Sequence, residues 1–211
     1  MAARRLVLWR HGQTAWNLED RFQGSTDVEL DDVGRGQADR AARLLASLAP
    51  TLVVSSDLAR ASETAGSLAK LLGLEVRLDE RLRETYGGSW QGRTVSELLQ
   101  LDPEDYAAWR SGADVPAGGG ERRSDVAARV VPAILDAVAD VPPGGTVVVV
   151  THGGSARAAI GTLLGLPLDQ WAVIGGLANC CWSVLEEAGD GWRLVEHNAG
   201  SLPEPVMADE E

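Results

Sequence analysis

Three short apolar runs constrain this chain more than anything else in it: Leu6–Trp9, Leu52–Ser55 and Thr146–Thr151. None of them alternates polar with apolar residues. A continuous β-branched or Leu-rich run must be covered on both faces, and parallel strands flanked by helices meet that demand. Helical periodicity fills the intervals. Over Gly36–Leu48 the residues Ala38, Ala41, Ala42, Leu44, Leu45 and Leu48 share one side, and Leu58–Leu72 is similar, with Gly73 at a helix C-cap position. Arg123–Ala139 and Ser155–Leu164 predict further helices. Cys181–Leu185 and Trp192–His197, separated by the Glu187–Gly191 turn, predict a hairpin. Strands alternating with helices imply an α/β three-layer sandwich, a mostly parallel central sheet with helices on both faces. At 211 residues the chain is expected to form a single domain over 1–211. The stretch from about 87 to 120 breaks the rhythm with Gly-rich pieces, Pro103, Pro116, Trp90, Trp109 and a short helical pattern at Val95–Leu101. It reads as a small helical insertion over the active site. The acidic tail 203–211 is expected to fray.

The chemistry concentrates where the runs end. Two of the three histidines hold matching places: Leu6–Trp9 leads into Arg10-His11-Gly12, and Thr146–Thr151 into His152-Gly153-Gly154. Ligands of open α/β sheets bind beyond the carboxyl ends of the strands. A lone histidine at a strand end is usually structural, but a matched pair beside glycines predicts a shared crevice. The third run ends in Ser56-Asp57-Leu58-Ala59-Arg60, so Arg60 opens a helix on the same side. Arg10, Arg60, His11 and His152 then converge. Such a cluster repels itself unless an anion sits in it, and a phosphate dianion fits in charge and in fork geometry. Gly12, Gly153 and Gly154 let backbone N–H groups approach that anion.

Charge narrows the partners. Lys+Arg total 19 against 31 Asp+Glu, a net charge of -12. No basic surplus exists for nucleic acid or an anionic membrane, whereas a small phosphorylated substrate needs only a few cations in one pocket. Lys70 is the single lysine and lacks a Walker A glycine loop. There is no HExxH motif and no aspartate cluster, so no metal and no cofactor is expected. Cys180 and Cys181 are adjacent and form no disulfide framework. The amino-terminal apolar run is too short for a signal peptide, and Val147–Val150, the longest apolar stretch, cannot span a membrane. A cytoplasmic monomer or homodimer is expected, with the apolar Trp171–Leu177 segment as a candidate dimer contact.

Arg10-His11-Gly12-Gln13-Thr14 with Asn17 resembles the RHGxTxxN signature of the histidine phosphatase superfamily, the phosphoglycerate-mutase-like proteins. The likeness continues through Phe22-Gln23-Gly24, Ser55–Ala61, Leu82–Gly92 and Thr151–Gly154. It implies a nucleophilic His11, a phosphoryl pocket of Arg10, Arg60 and His152, and Glu84 as proton donor to the leaving alcohol. Asn17, Gln23 and Gly24 match positions that line phosphate and substrate. The implied activity is metal-independent phosphomonoester hydrolysis through a phosphohistidine. For that chemistry His11 must attack as neutral imidazole, with its other ring nitrogen held by a backbone carbonyl.

The family contains phosphatases and mutases. In the cofactor-dependent phosphoglycerate mutases Arg-His-Tyr follows the glutamate; here Thr85-Tyr86-Gly87 does, which favours hydrolysis. Arg122 or Arg123 remains available for a substrate carboxylate. Ala108–Arg110, Gly175–Trp182 and Trp192–Asn198 resemble the glucosyl-3-phosphoglycerate phosphatase group, while phosphoserine, sugar-phosphate and α-ribazole phosphatases share the core motifs. Two other classes fit worse. A serine hydrolase needs a GxSxG elbow that Ser155-Ala156-Arg157 does not provide, and a silent phosphate sensor has no need of both His11 and Glu84.

Overall fold

The computed structural model describes residues 2–200. Its elements in chain order are β1 (Arg5–Arg10), α1 (Ala15–Leu18), α2 (Asp32–Ala46), β2 (Leu52–Ser55), α3 (Ala59–Leu72), β3 (Val76–Leu78), α4 (Val95–Leu101) and α5 (Pro103–Ser111). Then follow α6 (Arg123–Ala139), β4 (Thr146–Thr151), α7 (Gly153–Leu163), β5 (Trp182–Ala188) and β6 (Gly191–Ala199). The six strands form one sheet in the order β3-β2-β4-β1-β5-β6. The first four of that order run parallel, and the β5–β6 hairpin adds antiparallel to β1. This is the expected α/β sandwich.

The apolar runs are buried on both faces because the strand period is two. Leu6, Leu8, Val147 and Val149 pack with α6 and α7. Val7, Trp9, Val148 and Val150 point the other way, onto α2 and α3. All eight side chains are fully buried. One register decides the placement of the site. β1 and β4 pair with Trp9 opposite Val150 and Arg10 opposite Thr151, so His11 and His152 leave the sheet at the same level. On the other side of β4, Ser56 N–H donates to the Val150 carbonyl at 2.9 Å, which brings the β2 loop to the same edge.

Between residues 87 and 120, α4 and α5 gather a small core of their own. Trp90, Leu98, Tyr106 and Ala117 are buried there, with Phe22 and Trp109 against them in edge-to-face contacts. The first of these helices matches the expected range. Helix α5 was not anticipated; it starts on Pro103 at a position where a missing N–H costs nothing.

Other expectations need correction. Helix α2 begins at Asp32, ahead of Gly36, because Asp31 caps it by accepting the Gly34 N–H at 2.7 Å. Leu44 faces solvent rather than the core, at 47% exposure. Helix α7 begins at Gly153 rather than Ser155. The short edge strand β3 carries too little apolar pattern to be read from sequence. Within Trp171–Leu177, the residues Trp171, Ile174 and Leu177 are buried. Val173, in the same segment, is 77% exposed. The 203–211 tail lies outside the described residues.

Two helical glycines separate propensity from packing. A Cβ on Gly34 would lie 2.1 Å from the Gln13 carbonyl oxygen, in the loop after His11, whereas a Cβ on Gly66 meets nothing within 4 Å. Gly66→Ala is therefore expected to stabilise by about 1 kcal/mol, raising Tm by roughly 2–4 °C. Gly34→Ala should lower Tm despite the same gain in helix propensity, and reduce turnover with it. Thermal melts of both variants check this; equal shifts of the same sign would contradict the packing argument.

Candidate active site

At the carboxyl edge of the sheet the two imidazoles stand with ring centroids 5.1 Å apart. His11 is buried. Its Nδ1 lies 2.7 Å from the Gly12 carbonyl oxygen. A carbonyl only accepts, so Nδ1 carries the proton and Nε2 keeps its lone pair. Asn179 Nδ2 donates to the His11 and Gly12 carbonyls, at 3.2 and 3.1 Å, and fixes the loop from the opposite side. Thr64 Oγ1 accepts the Gly12 N–H at 3.1 Å.

The cations are oriented by backbone carbonyls. Arg10 Nη1 donates to the Leu177 oxygen at 2.6 Å. Arg60 donates to Thr26 and Gly24 oxygens, both at 2.7 Å, and is fully buried. Gly24 holds its carbonyl in place only as glycine: its φ is +53°, and a Cβ would meet Gln91 Oε1 at 2.5 Å. His152 Nε2 lies 2.9 Å from Ser56 Oγ. Within this four-residue cluster, Arg10 Nε, Arg60 Nε and His152 Nδ1 are buried without a partner. Native interiors rarely leave such donors unpaired except at functional sites.

Electrostatics follow from burial. Desolvation first, then the charges of Arg60 and Arg10, hold the His11 imidazole well below its usual pKa. His152 is lowered in the same way, with burial again the largest cause. Burial also lowers the Arg60 guanidinium, to about 10, with Glu84 and Asp27 opposing the shift. It stays charged at neutral pH while both imidazoles stay neutral.

Glu84 sits at the amino end of α7. Its Oε2 accepts the Gly154 N–H at 2.9 Å and its Oε1 accepts the Ser155 N–H at 3.1 Å. His152, the N-cap residue, gives α7 no side-chain cap, so Glu84 satisfies those donors and meets the positive end of the helix dipole. A Cβ on Gly154 would lie 2.6 Å from Glu84 Oε1, so the close approach needs glycine there; Gly153 is roomier and borders Arg10.

The remaining expected residues join the same cavity, of about 190 Å³, which Arg10, His11, Asn17, Gln23, Arg60 and Glu84 all line. Asn17 Oδ1 accepts from Thr14 N–H and Asn179 Nδ2, which leaves its own Nδ2 to meet a ligand. Gln23 Oε1 accepts from Thr14 Oγ1, with the same consequence for its amide nitrogen. Sequence reasoning gave no role to Ser56, Asn179 or Arg129. Arg129 donates to the carbonyls of Arg81, Arg83 and Glu84 and pairs with Glu121, so it holds the loop that carries Glu84. Its one signal is a lone arginine among Val126, Ala127, Val130 and Ala133 on an otherwise apolar helix face. Of the two arginines considered for a carboxylate, Arg123 lines the neighbouring cavity while Arg122 is exposed.

The lowered imidazole pKa values set a sign. The unfolded chain takes up protons below about pH 6.5, while folded His11 and His152 resist them. The stability they contribute is present above that pH and falls as pH drops through it. In ¹⁵N NMR of the ligand-free protein at pH 6, both rings should be neutral and His11 should be the Nδ1–H tautomer. A doubly protonated His11 at that pH would contradict the electrostatic account.

Known proteins resemble this chain over most of its length. The chain is 46% identical to the glucosyl-3-phosphoglycerate phosphatase of Mycobacterium tuberculosis, over 95% of this chain and 97% of that protein. It is 45% identical to phosphoglycerate mutase-like protein 4 of Arabidopsis thaliana, over 72% of this chain and 67% of the relative. The fold superposes on the solved structure of mycobacterial glucosyl-3-phosphoglycerate phosphatase in complex with VO3 with a TM-score of 0.89 at 46% identity, covering 94% of this chain and all of that one. The family model of the histidine phosphatase superfamily (branch 1) matches residues 6–200, and the chain belongs to that family.

Proposed function

We propose that this phosphatase hydrolyses glucosyl-3-phosphoglycerate, with His11 as nucleophile and Glu84 as the proton-transferring group. One observation carries the mechanism: His11, whose Nδ1 is already committed, shares a cavity with Arg10 and Arg60 and stands 5.1 Å from the His152 ring, and each of these three neighbours keeps a buried nitrogen without a partner. The three atoms suit the three non-bridging oxygens of a phosphoryl group. The mechanism assigns the Ser56 hydroxyl as donor to His152 Nε2, 2.9 Å away, which puts the imidazole proton on Nδ1, the unpartnered atom.

In the first half-reaction His11 Nε2 attacks phosphorus and the ester P–O bond breaks. Glu84 gives its proton to the departing oxygen. In the second half a water attacks the phosphohistidine, its proton goes to Glu84, and the P–N bond breaks. The products are the alcohol and inorganic phosphate. Fixed Arg and His donors stabilise the charge on the transferred group without reorganising during the step. The substrate assignment rests on the mycobacterial relatives named glucosyl-3-phosphoglycerate phosphatase, which this chain matches over nearly its full length. A cytoplasmic setting is part of the proposal. Cys180 and Cys181 are free thiols, burial pushes Cys180 up to about 12, and among the described residues no helix is long and apolar enough to cross a membrane.

The purified protein is expected to hydrolyse p-nitrophenyl phosphate in excess EDTA, and His11→Ala to abolish turnover. Loss of activity on chelation, or an active His11→Ala variant, overturns the mechanism. Glu84→Gln should slow alkyl phosphates by about 10²-fold or more, while aryl phosphates, whose leaving groups need less protonation, suffer far less. Equal slowing of both classes removes Glu84 as the leaving-group acid.

A further inference from the structure

Beyond Glu84 and Gly154 the phosphate cavity adjoins a second chamber of about 210 Å³. Arg10, Glu84, Thr85, Trp109 and Gly154 line both spaces. The new wall brings Arg123, the first residue of α6, and Arg157, one turn into α7. The lining then holds three arginines and a single carboxylate, that of Glu84, which is already bonded to the start of α7.

Arg123 is anchored. Its Nη1 and Nη2 donate to the Ala113 and Trp109 carbonyls at 2.9 and 2.7 Å, and its guanidinium lies over the Trp109 ring, 4.7 Å from the centroid. Arg157 is different. Its Nε is buried without a partner, and its Nη2 lies 3.2 Å from where a Cβ on Gly176 would stand. Among the described residues neither guanidinium has a carboxylate within ion-pair distance, although most other arginines here do. Burial and the Arg157 charge lower the basicity of Arg123, and the more distant Asp114 carboxylate only opposes them. Two like charges facing a half-enclosed space are unfavourable without an anion between them.

We infer that this chamber is the leaving-group subsite, and that Arg123 and Arg157 clamp a carboxylate carried by the alcohol half of the substrate. The inference rests on the phosphomonoesterase reading, because Glu84 lines both spaces and so sets the leaving oxygen at their junction. Whatever that oxygen carries extends toward the arginine pair. A planar carboxylate suits the guanidinium forks, and one negative charge suits the donors that Arg123 has left after binding two carbonyls.

The test compares 3-phosphoglycerate with glycerol 3-phosphate, which has CH2OH in place of the carboxylate. The wild-type enzyme should favour 3-phosphoglycerate in kcat/KM by about ten-fold or more, the scale of a charge-assisted hydrogen-bond pair. In Arg157→Gln that ratio should collapse toward one, chiefly through KM, and Arg157→Lys should hold an intermediate value. Because both substrates meet the same protein, a partly folded variant leaves the ratio readable. Arg123→Gln should lower it too. A wild-type ratio near one, or a ratio unchanged in Arg157→Gln, overturns the clamp while p-nitrophenyl phosphate hydrolysis leaves the phosphatase reading intact. Failure to hydrolyse any of the three esters overturns that reading, and the clamp with it.

Discussion

The parallel pairing of β1 with β4 is the constraint on which the rest depends. It sets Arg10 opposite Thr151 and so delivers His11 and His152 to one level of one sheet edge. A slip of one residue would send every side chain of β1 to the other face and bury the wrong half of the run. The site is thus specified by the same apolar residues that specify the core. Nothing further is needed to bring the imidazoles together, since each follows its strand by a single residue.

Holding two arginines and two imidazoles in a buried cluster is costly; the charges of Glu84 and Asp27 offset part of that cost from a distance, and no carboxylate bonds either arginine. Backbone carbonyls of Leu177, Thr26 and Gly24 take the guanidinium donors, which orients the cations and leaves their charge largely uncompensated. An acid in those places would have neutralised the pocket and competed with a phosphate. The imidazoles respond by staying neutral, which is the form a nucleophile needs. Glu84 is kept close by the amino end of α7 rather than by an arginine, so its proton exchange does not require breaking an ion pair.

Much of this was legible in the sequence. The three apolar runs announced the sheet, and the Arg-His-Gly and His-Gly-Gly junctions announced the pocket, because strand ends and glycines carry strong local signals. Glu84, Asn17 and Gln23 were legible only through resemblance: a carboxylate or amide in a loop has no pattern that betrays where the loop folds. Arg129, Asn179 and Ser56 escaped because their partners are backbone carbonyls or a side chain distant in sequence, and such contacts exist only after folding. The start of α7 was misjudged for a related reason. Its cap is Glu84, about 70 residues earlier, and no local rule reaches that far.

The central claim is that an imidazole ringed by fixed donors takes the phosphoryl group covalently. Rapid-quench labelling with a ³²P-phosphomonoester, followed by peptide mapping, tests it most directly. The account predicts an acid-labile, alkali-stable phosphate on the peptide that carries His11, appearing before inorganic phosphate and decaying as it is released. Steady turnover with no trapped label, or label on a different side chain, would contradict it.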